Sequence, residues 1–278
     1  MRRKATWLIV FSIALSLAGC GGSKTIRDGP GSSRIPDLPG DAIPRPEPRS
    51  KHGNGRDMGD GPMYEVWGKR YRVMASSAGY RERGVASWYG HKFDGKLTSS
   101  LETYDMYAMT AAHKTLPLPT YVHVRNLRNN RSVVVRVNDR GPFVQNRIID
   151  LSYAAALKLE MVRDGTSLVE VTAYNFDQPD GDRAMRTSAS PQPTPSLDSG
   201  TNRIFVQVGA FGDPSNAERR HTLLMRSGID NAFVDEDNTT NPPLYRVRIG
   251  PVSDVTQYDV LVEELAHVGI TDPYLITE

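Results

Sequence analysis

Four residues in the middle of the chain have the types and spacing to do acid–base chemistry. Glu102 and Asp105 lie three apart, His113 follows in Thr110-Ala111-Ala112-His113, and Asp139 sits in Asn138-Asp139-Arg140-Gly141-Pro142, where the apolar run Val133–Val137 enters a turn. Cleaving a glycosidic bond needs a carboxylic acid to protonate the leaving oxygen and a group to stabilise an oxocarbenium-like transition state. Such an acid must keep its proton near neutral pH, which calls for burial or neighbouring carboxylates. Three carboxylates converging on one groove would supply that. The same residues also fit plainer roles: Asp139 as an Asx-turn residue, His113 as a satisfied structural histidine, Glu102 and Asp105 as a solvated turn. A metal held by His113 and the carboxylates is a further alternative, but no HExxH-type pair supports it, so no metal or cofactor is expected.

Positioning these groups falls to short apolar and β-branched runs at Tyr71–Met74, Gly84–Tyr89, Tyr107–Ala111, Tyr121–Asn126, Ser132–Asn138 and Ser167–Tyr174. Their spacing, punctuated by turn residues at Asp94-Gly95, Asn129-Asn130 and Arg140-Gly141-Pro142, predicts a compact β-barrel. One helix is expected over Tyr153–Leu159, capped by Asp150-Leu151-Ser152. The C-terminal part alternates differently, predicting strands at Arg203–Ala210, Ala232–Asp235, Leu244–Ile249 and Tyr274–Thr277 with helices at Ser215–Arg226 and Val255–Val268. That βαββαβ order is a ferredoxin-like α+β domain with both helices on one face of a four-stranded sheet. On the other face the alternation leaves Phe205, Gln207, Arg246 and Arg248, an exposed platform suited to a polymer or simply a solvated surface.

The N-terminus carries Arg2, Arg3 and Lys4, an apolar run from Trp7 to Leu17, and then Leu17-Ala18-Gly19-Cys20. This is the layout of an export signal over residues 1–19, too short in its apolar part to span a bilayer. Leu-Ala-Gly-Cys resembles the lipobox of bacterial lipoproteins, which implies acylation of Cys20 and a lipid anchor; the alternative is an ordinary secretory signal that contains a cysteine. Gly21, where Asp is absent, implies the outer membrane in that class. Cys20 is the only cysteine, so the folded parts rely on core packing rather than disulfides. Residues 20–62 are rich in Gly, Pro, Ser and Arg and read as a disordered tether, and 177–200 as a Pro-containing linker. The domains expected between them are 63–176 and 201–278. With 34 Lys and Arg against 32 Asp and Glu, no concentrated basic field argues for nucleic acid.

The blocks Gly84-Val85-Ala86-Ser87-Trp88-Tyr89-Gly90, Glu102-Thr103-Tyr104-Asp105-Met106, Thr110-Ala111-Ala112-His113-Lys114-Thr115-Leu116-Pro117 and Val137-Asn138-Asp139-Arg140-Gly141-Pro142-Phe143 through Ile149-Asp150-Leu151-Ser152, in this order, closely resemble the rare lipoprotein A family, the septal-ring lytic transglycosylases. Phe205-Val206-Gln207-Val208-Gly209-Ala210-Phe211 and Tyr245-Arg246-Val247-Arg248-Ile249-Gly250-Pro251 resemble a SPOR domain. The resemblance implies a double-psi β-barrel that is mainly β, a SPOR domain binding peptide-stripped (denuded) glycan strands, Asp139 as acid/base, and Glu102, Asp105 and His113 as groove partners. It further implies enrichment at the septal ring on the periplasmic side, among division proteins. One departure stands out: Ser99-Ser100-Leu101-Glu102 has Leu101 where the family usually has Gly before the Glu, and a positive φ there would strain it. Two rival readings are a non-catalytic, expansin-like glycan binder and, for the C-terminal part, an RNA-binding RRM. An RRM presents paired aromatics where this chain has Arg246 and Arg248, and an export signal argues against it.

Overall fold

A computed structural model describes residues 37–57, 61–176 and 203–278. The expected signal, the acylated Cys20 and the 177–200 linker lie outside the described residues.

Three short strands come first: β1 (Arg56–Asp57), β2 (Pro62–Val66) and β3 (Lys69–Arg72), paired antiparallel in that order. β2 and β3 form a hairpin turning at Trp67-Gly68, both at positive φ (50° and 77°), as the tight turns that match strand twist require. Six more strands, β4 (Arg81–Trp88), β5 (Thr110–His113), β6 (Thr120–Asn126), β7 (Ser132–Asp139), β8 (Arg147–Leu151) and β9 (Thr166–Ala173), close into a barrel of order β4-β8-β5-β7-β6-β9. The β4–β8 and β5–β7 pairs are parallel and the others antiparallel. Period-two alternation puts Val133, Val135 and Val137 of β7, with Val122, Val124, Val169, Val171, Ile149 and Leu151, into one dry interior. Burying each such side chain stabilises the fold by about 1.5–3 kcal/mol. The outward alternates on β7, β5 and β8 are therefore free to carry polar chemistry.

Two details differ from expectation. The run near Tyr71 belongs to the hairpin, outside the barrel. Arg147–Leu151, with Asp150 and Leu151 assigned to a helix cap, is strand β8; only Ser152 caps α1 (Tyr153–Lys158), its hydroxyl accepting from the Ala155 N–H at 3.3 Å.

The segment before the barrel also departs from a tether running to residue 62. From Leu38 to Asn54 it lies as a strap along the barrel, because β7 has a gap in its pairing that the strap fills. The four-residue β5 covers only the Arg136–Asp139 end of β7. At Val134 the missing bonds come from the strap: Ala42 N–H donates to the Val134 carbonyl at 3.0 Å, and the Asp41 carboxylate accepts from Val134 N–H at 2.9 Å. Asp41 also pairs with Lys158 at 2.7 Å, and Ser50 N–H donates to the Leu118 carbonyl at 2.8 Å. Composition pointed to disorder because the strap has little apolar surface; beyond Leu38 and Ala42, which pack on the core, its attachment is polar, which composition does not register.

The C-terminal unit follows its predicted order: β10 (Ile204–Phe211), α2 (Pro214–Arg226), β11 (Ala232–Asp237), β12 (Leu244–Ile249), α3 (Val255–His267) and β13 (Tyr274–Thr277). Its sheet, β11-β12-β10-β13, is antiparallel throughout. Asp213 and Asp254 cap the two helices through their carboxylates. The unit touches the barrel: Asp259 on α3 accepts from both terminal nitrogens of Arg147 at 3.1–3.2 Å, and Val85, Leu127 and Leu168 join its apolar cluster.

Candidate active site

Strand register lines up a row of outward-facing residues across four strands. Ser87 on β4 pairs with Asp150 on β8, Asp150 with Ala112 on β5, and Ala112 with Asp139 on β7, where a register shift after Val137 takes Asp139 out of the inward Val133, Val135, Val137 alternation. Directly paired residues share a face, so two carboxyls stand on either side of an alanine. Their Cα atoms are two strand spacings, about 10 Å, apart. Asp139 Oδ1 accepts from Ser99 N–H (2.7 Å), Ser99 Oγ (2.6 Å) and Arg140 N–H (2.7 Å). Its Oδ2 has no hydrogen-bond partner among the described residues, so one oxygen is fixed and the other is free for a ligand. Burial holds the Asp150 carboxyl above the usual range, with Ser87 donating to it in opposition and Asp139 adding repulsion.

Ser99 belongs to a turn closed by Leu101 N–H to the Thr98 carbonyl at 2.9 Å. Leu101 takes φ +66°, as the departure from glycine foretold, and its side chain is more than half exposed. The strain does not displace Glu102. Arg136 reaches it at 2.7 and 3.0 Å and Asn138 donates to it at 2.7 Å. Arg136 is shared with Glu47 of the strap at 2.8 Å. For both glutamates burial acts upward, but the hydrogen bonds from Arg136, with Tyr121 at Glu47 and Asn138 at Glu102, outweigh it and hold them below the usual range. One turn thus holds Asp139 through Ser99 and carries Glu102 three residues on.

His113 and Asp105 are placed elsewhere. His113 is buried, its Nδ1 accepting from Thr115 and Leu116 N–H at 3.1 and 3.0 Å, and its Nε2 lying 2.7 Å from Tyr80 Oη. Tyr80 donates onward to Glu82 at 2.6 Å, so Nε2 carries the proton and the ring is neutral. Burial, with Arg140 and Lys114 nearby, pushes its pKa down to about 3. Asp105 is exposed and accepts from Tyr107 N–H at 2.8 Å in an Asx turn. Among the described residues no group of three or more His, Asp or Glu is placed to hold a metal.

Sequence reasoning passed over Asp150, Ser99, Arg136, Glu47 and the part played by Arg140. A period-two reading of Ile148-Ile149-Asp150-Leu151 would have put Asp150 outward on a strand. Arg140 is buried and staples the strap: its guanidinium donates to the carbonyls of Gly53 (2.6 Å), His113 (3.1 Å) and Leu116 (2.6 Å) and to Asn54 Oδ1 (3.2 Å). Burial lowers its pKa to about 10.

In the C-terminal unit, Phe205, Gln207, Arg246 and Arg248 share the face opposite the helices, but the platform is not open as expected. Phe205 is 5% exposed and Gln207 1%. Phe233 packs edge-on against Phe205 at 5.7 Å, while Tyr274 and Arg248 close over Gln207. Arg246 pairs with Asp237 at 2.5 Å, and Arg248 with Asp235 at 2.7 Å and with Glu278. The long cross-strand neighbours of a flat sheet cover its centre, and alternation alone does not reveal them.

Residues 81–171 match the family model described as lytic transglycolase, and residues 200–277 match the SPOR domain. The endolytic peptidoglycan transglycosylase RlpA of Vibrio cholerae is 39% identical over 277 residues, covering 95% of this chain and 94% of that protein. The chain belongs to the RlpA family. The RlpA of Pseudomonas aeruginosa is 36% identical over 88% of this chain and 81% of its own length. That of Neisseria meningitidis is 57% identical over 108 residues, covering 39% of this chain and 45% of the relative. The RlpA fold is accordingly a six-stranded double-psi-like barrel with a SPOR domain behind it.

Proposed function

We propose that this RlpA-family protein is a lytic transglycosylase that cuts the β-1,4 bond between N-acetylmuramic acid and N-acetylglucosamine in peptide-stripped peptidoglycan strands, leaving 1,6-anhydro ends. The observation that carries the reading is Asp139: one oxygen fixed by Ser99 and Arg140, the other free, facing a second carboxyl across a small Ala112 floor. Its relatives' name, endolytic peptidoglycan transglycosylase, supports the reaction class.

In this reaction protonated Asp139 gives its proton to the glycosidic oxygen as the C1–O bond breaks. The positive charge that develops at C1 is opposed by Asp150 across the row. The muramyl C6 hydroxyl attacks C1 and its proton returns to Asp139, so no water is consumed and the acid is regenerated. Glu102, held by Arg136 and Asn138, borders the same face and orients the sugar through its hydroxyls. Asp105 stands further out, at an exposed turn. His113 acts as a positioning residue through the 113–116 turn, whose carbonyls hold Arg140.

The SPOR domain gathers the enzyme on denuded glycan at the septum, and a lipid on Cys20 holds it to the outer membrane on the periplasmic side, among division proteins. Mass spectrometry of products from purified sacculi and from amidase-stripped glycan tests the reading. Anhydromuramyl fragments from the stripped substrate, absent with Asp139→Asn, are expected. Intact strands that merely co-sediment with the protein would make it an expansin-like binder instead.

A further inference from the structure

The strap and the hairpin enclose a cavity of about 840 Å³ with the barrel, next to the Asp139 row. Ser99, which fixes Asp139, is in its wall. The strap comes close here because Gly53 sits at φ +75°, where a Cβ would meet the Ser99 carbonyl at 2.8 Å, and because Arg140 holds the Gly53 carbonyl from below. Two features of the wall point to a ligand. First, among the described residues it is cationic: Lys51, Arg56 and Arg70 line it against one acid, Glu65, which is already paired with Arg70 at 3.4 Å. Arg140 is spent on backbone carbonyls, which leaves Lys51 and Arg56 for an anion. Second, it is aromatic: Tyr64 and Phe143 line it, Tyr71 stacks on Tyr64 at 5.2 Å and lies 5.5 Å from Phe143. Trp67 is 86% exposed at the hairpin turn, 5.8 Å from the Phe143 ring. With Phe143, Tyr64 and Tyr71 this open indole forms one contiguous aromatic patch beside the cationic hollow, the kind of surface that marks a ligand groove.

We propose that this cavity is a second glycan subsite, taking the muramyl residue next along the strand with its lactyl carboxylate on Lys51 and Arg56 and its sugar ring against the Trp67–Phe143 aromatics. The inference rests on the glycan reading above and extends it to a charge requirement. In a peptide-bearing strand the lactyl carboxyl is an amide and neutral at that atom; in a stripped strand it is a free anion. The cationic hollow therefore recognises the removal of the stem peptide directly, at the barrel, independently of SPOR.

The test uses the full chain in detergent micelles and its tryptophan fluorescence. The three tryptophans are Trp7, Trp67 and Trp88, none in the SPOR domain, so a sugar bound there is silent. The probes are an alternating GlcNAc–MurNAc tetrasaccharide with free lactyl carboxylates and the same sugar with those carboxyls capped as methylamides. Quenching by the free acid at an apparent Kd roughly two- to thirtyfold below that of the capped sugar is expected, since two exposed ion pairs are lost on capping. The Lys51→Glu/Arg56→Glu variant should remove that difference, and Trp67→Phe should remove the quench. All three residues are exposed, so thermal melts of the variants should match the parent. Equal affinity for the two probes, or an unaltered preference after charge reversal, overturns the proposal. Cleavage is read separately: anhydro ends with a flat titration would sink the subsite and leave the transglycosylase reading, while a selective titration without anhydro ends would sink the latter alone.

Discussion

Leu101 provides a test in which the sign of the effect, more than its size, decides. At an ordinary position, replacing Ala by Gly costs about 0.5–1 kcal/mol, because glycine gives up more chain freedom on folding. At φ +66° the balance changes. A Cβ in the left-handed region costs roughly 1–2 kcal/mol, which glycine does not incur. Leu101→Gly should therefore be more stable than Leu101→Ala by about 0.5–1 kcal/mol. Comparing these two variants, instead of either with the parent, removes the contribution of the leucine side chain, which is 54% exposed and packs only in part. With an unfolding entropy of about 2.1 cal/mol/K per residue over a ~115-residue barrel, the gain corresponds to roughly 2–4 °C in Tm. Urea unfolding followed by tryptophan fluorescence gives the free energies, and calorimetry gives the Tm. A glycine variant less stable than the alanine variant by 0.5–1 kcal/mol would mean that residue 101 does not adopt the left-handed conformation, and the account of how the turn joins Ser99 to Glu102 would fall with it.

Other expectations concern the groups around the row. His113 has a folded pKa of about 3 against 6.5 unfolded, so its contribution to stability is full above pH 6.5 and is lost as pH falls toward 3; the barrel should lose about 1.4 kcal/mol per pH unit across that window, a slope that His113→Gln should flatten in pH-dependent urea melts. Arg140→Met leaves the carbonyls of Gly53, His113 and Leu116 without their donor and should cost about 3 kcal/mol or more, with faster proteolysis in the 38–57 strap as a second readout. Asp150→Asn should lower kcat for release of anhydro ends at least tenfold with KM little changed, the pattern of an interaction made in the transition state; an unchanged kcat would remove Asp150 from the chemistry. Arg248→Ala, which removes one of the two arginines of the SPOR face, should weaken co-sedimentation with stripped glycan several-fold, and retention at the parental level would move binding to another surface.

The sequence made much of this legible where local rules dominate. The βαββαβ order came through because the C-terminal helices carry an apolar stripe and the strands alternate cleanly, and every pairing there is antiparallel. The barrel strands β6, β7 and β9 were equally plain. β8 was not, since a five-residue strand whose parallel partner β4 lies some sixty residues earlier has no local signature beyond alternation, and its Asp150 resembled a helix cap. The same cause hid half of the site. Asp139 announces itself in a turn after an apolar strand, but Asp150 becomes its counterpart only through pairing of both strands with Ala112. Glu47 and the strap were lost because a proline-rich polar segment looks like a linker unless its acceptor, the unpaired stretch at Val134, is known. Exposure on the SPOR sheet was overestimated because alternation gives a face and says nothing of what the neighbouring side chains lay over it.

The strap also sets how far the groove can travel. Measured from the lipid proposed on Cys20, a tether reaching to residue 62 would allow a radius of about 140 Å at full extension, but packing Leu38 against the barrel core leaves only about 18 residue steps, or at most ~60 Å. With that proposed anchor the groove would work within a shell close to the membrane, the leash meeting the barrel beside β7. Lengthening the segment before Leu38 would extend the depth of wall the enzyme can reach, whereas insertions between Asn54 and Pro62 would leave that depth unchanged.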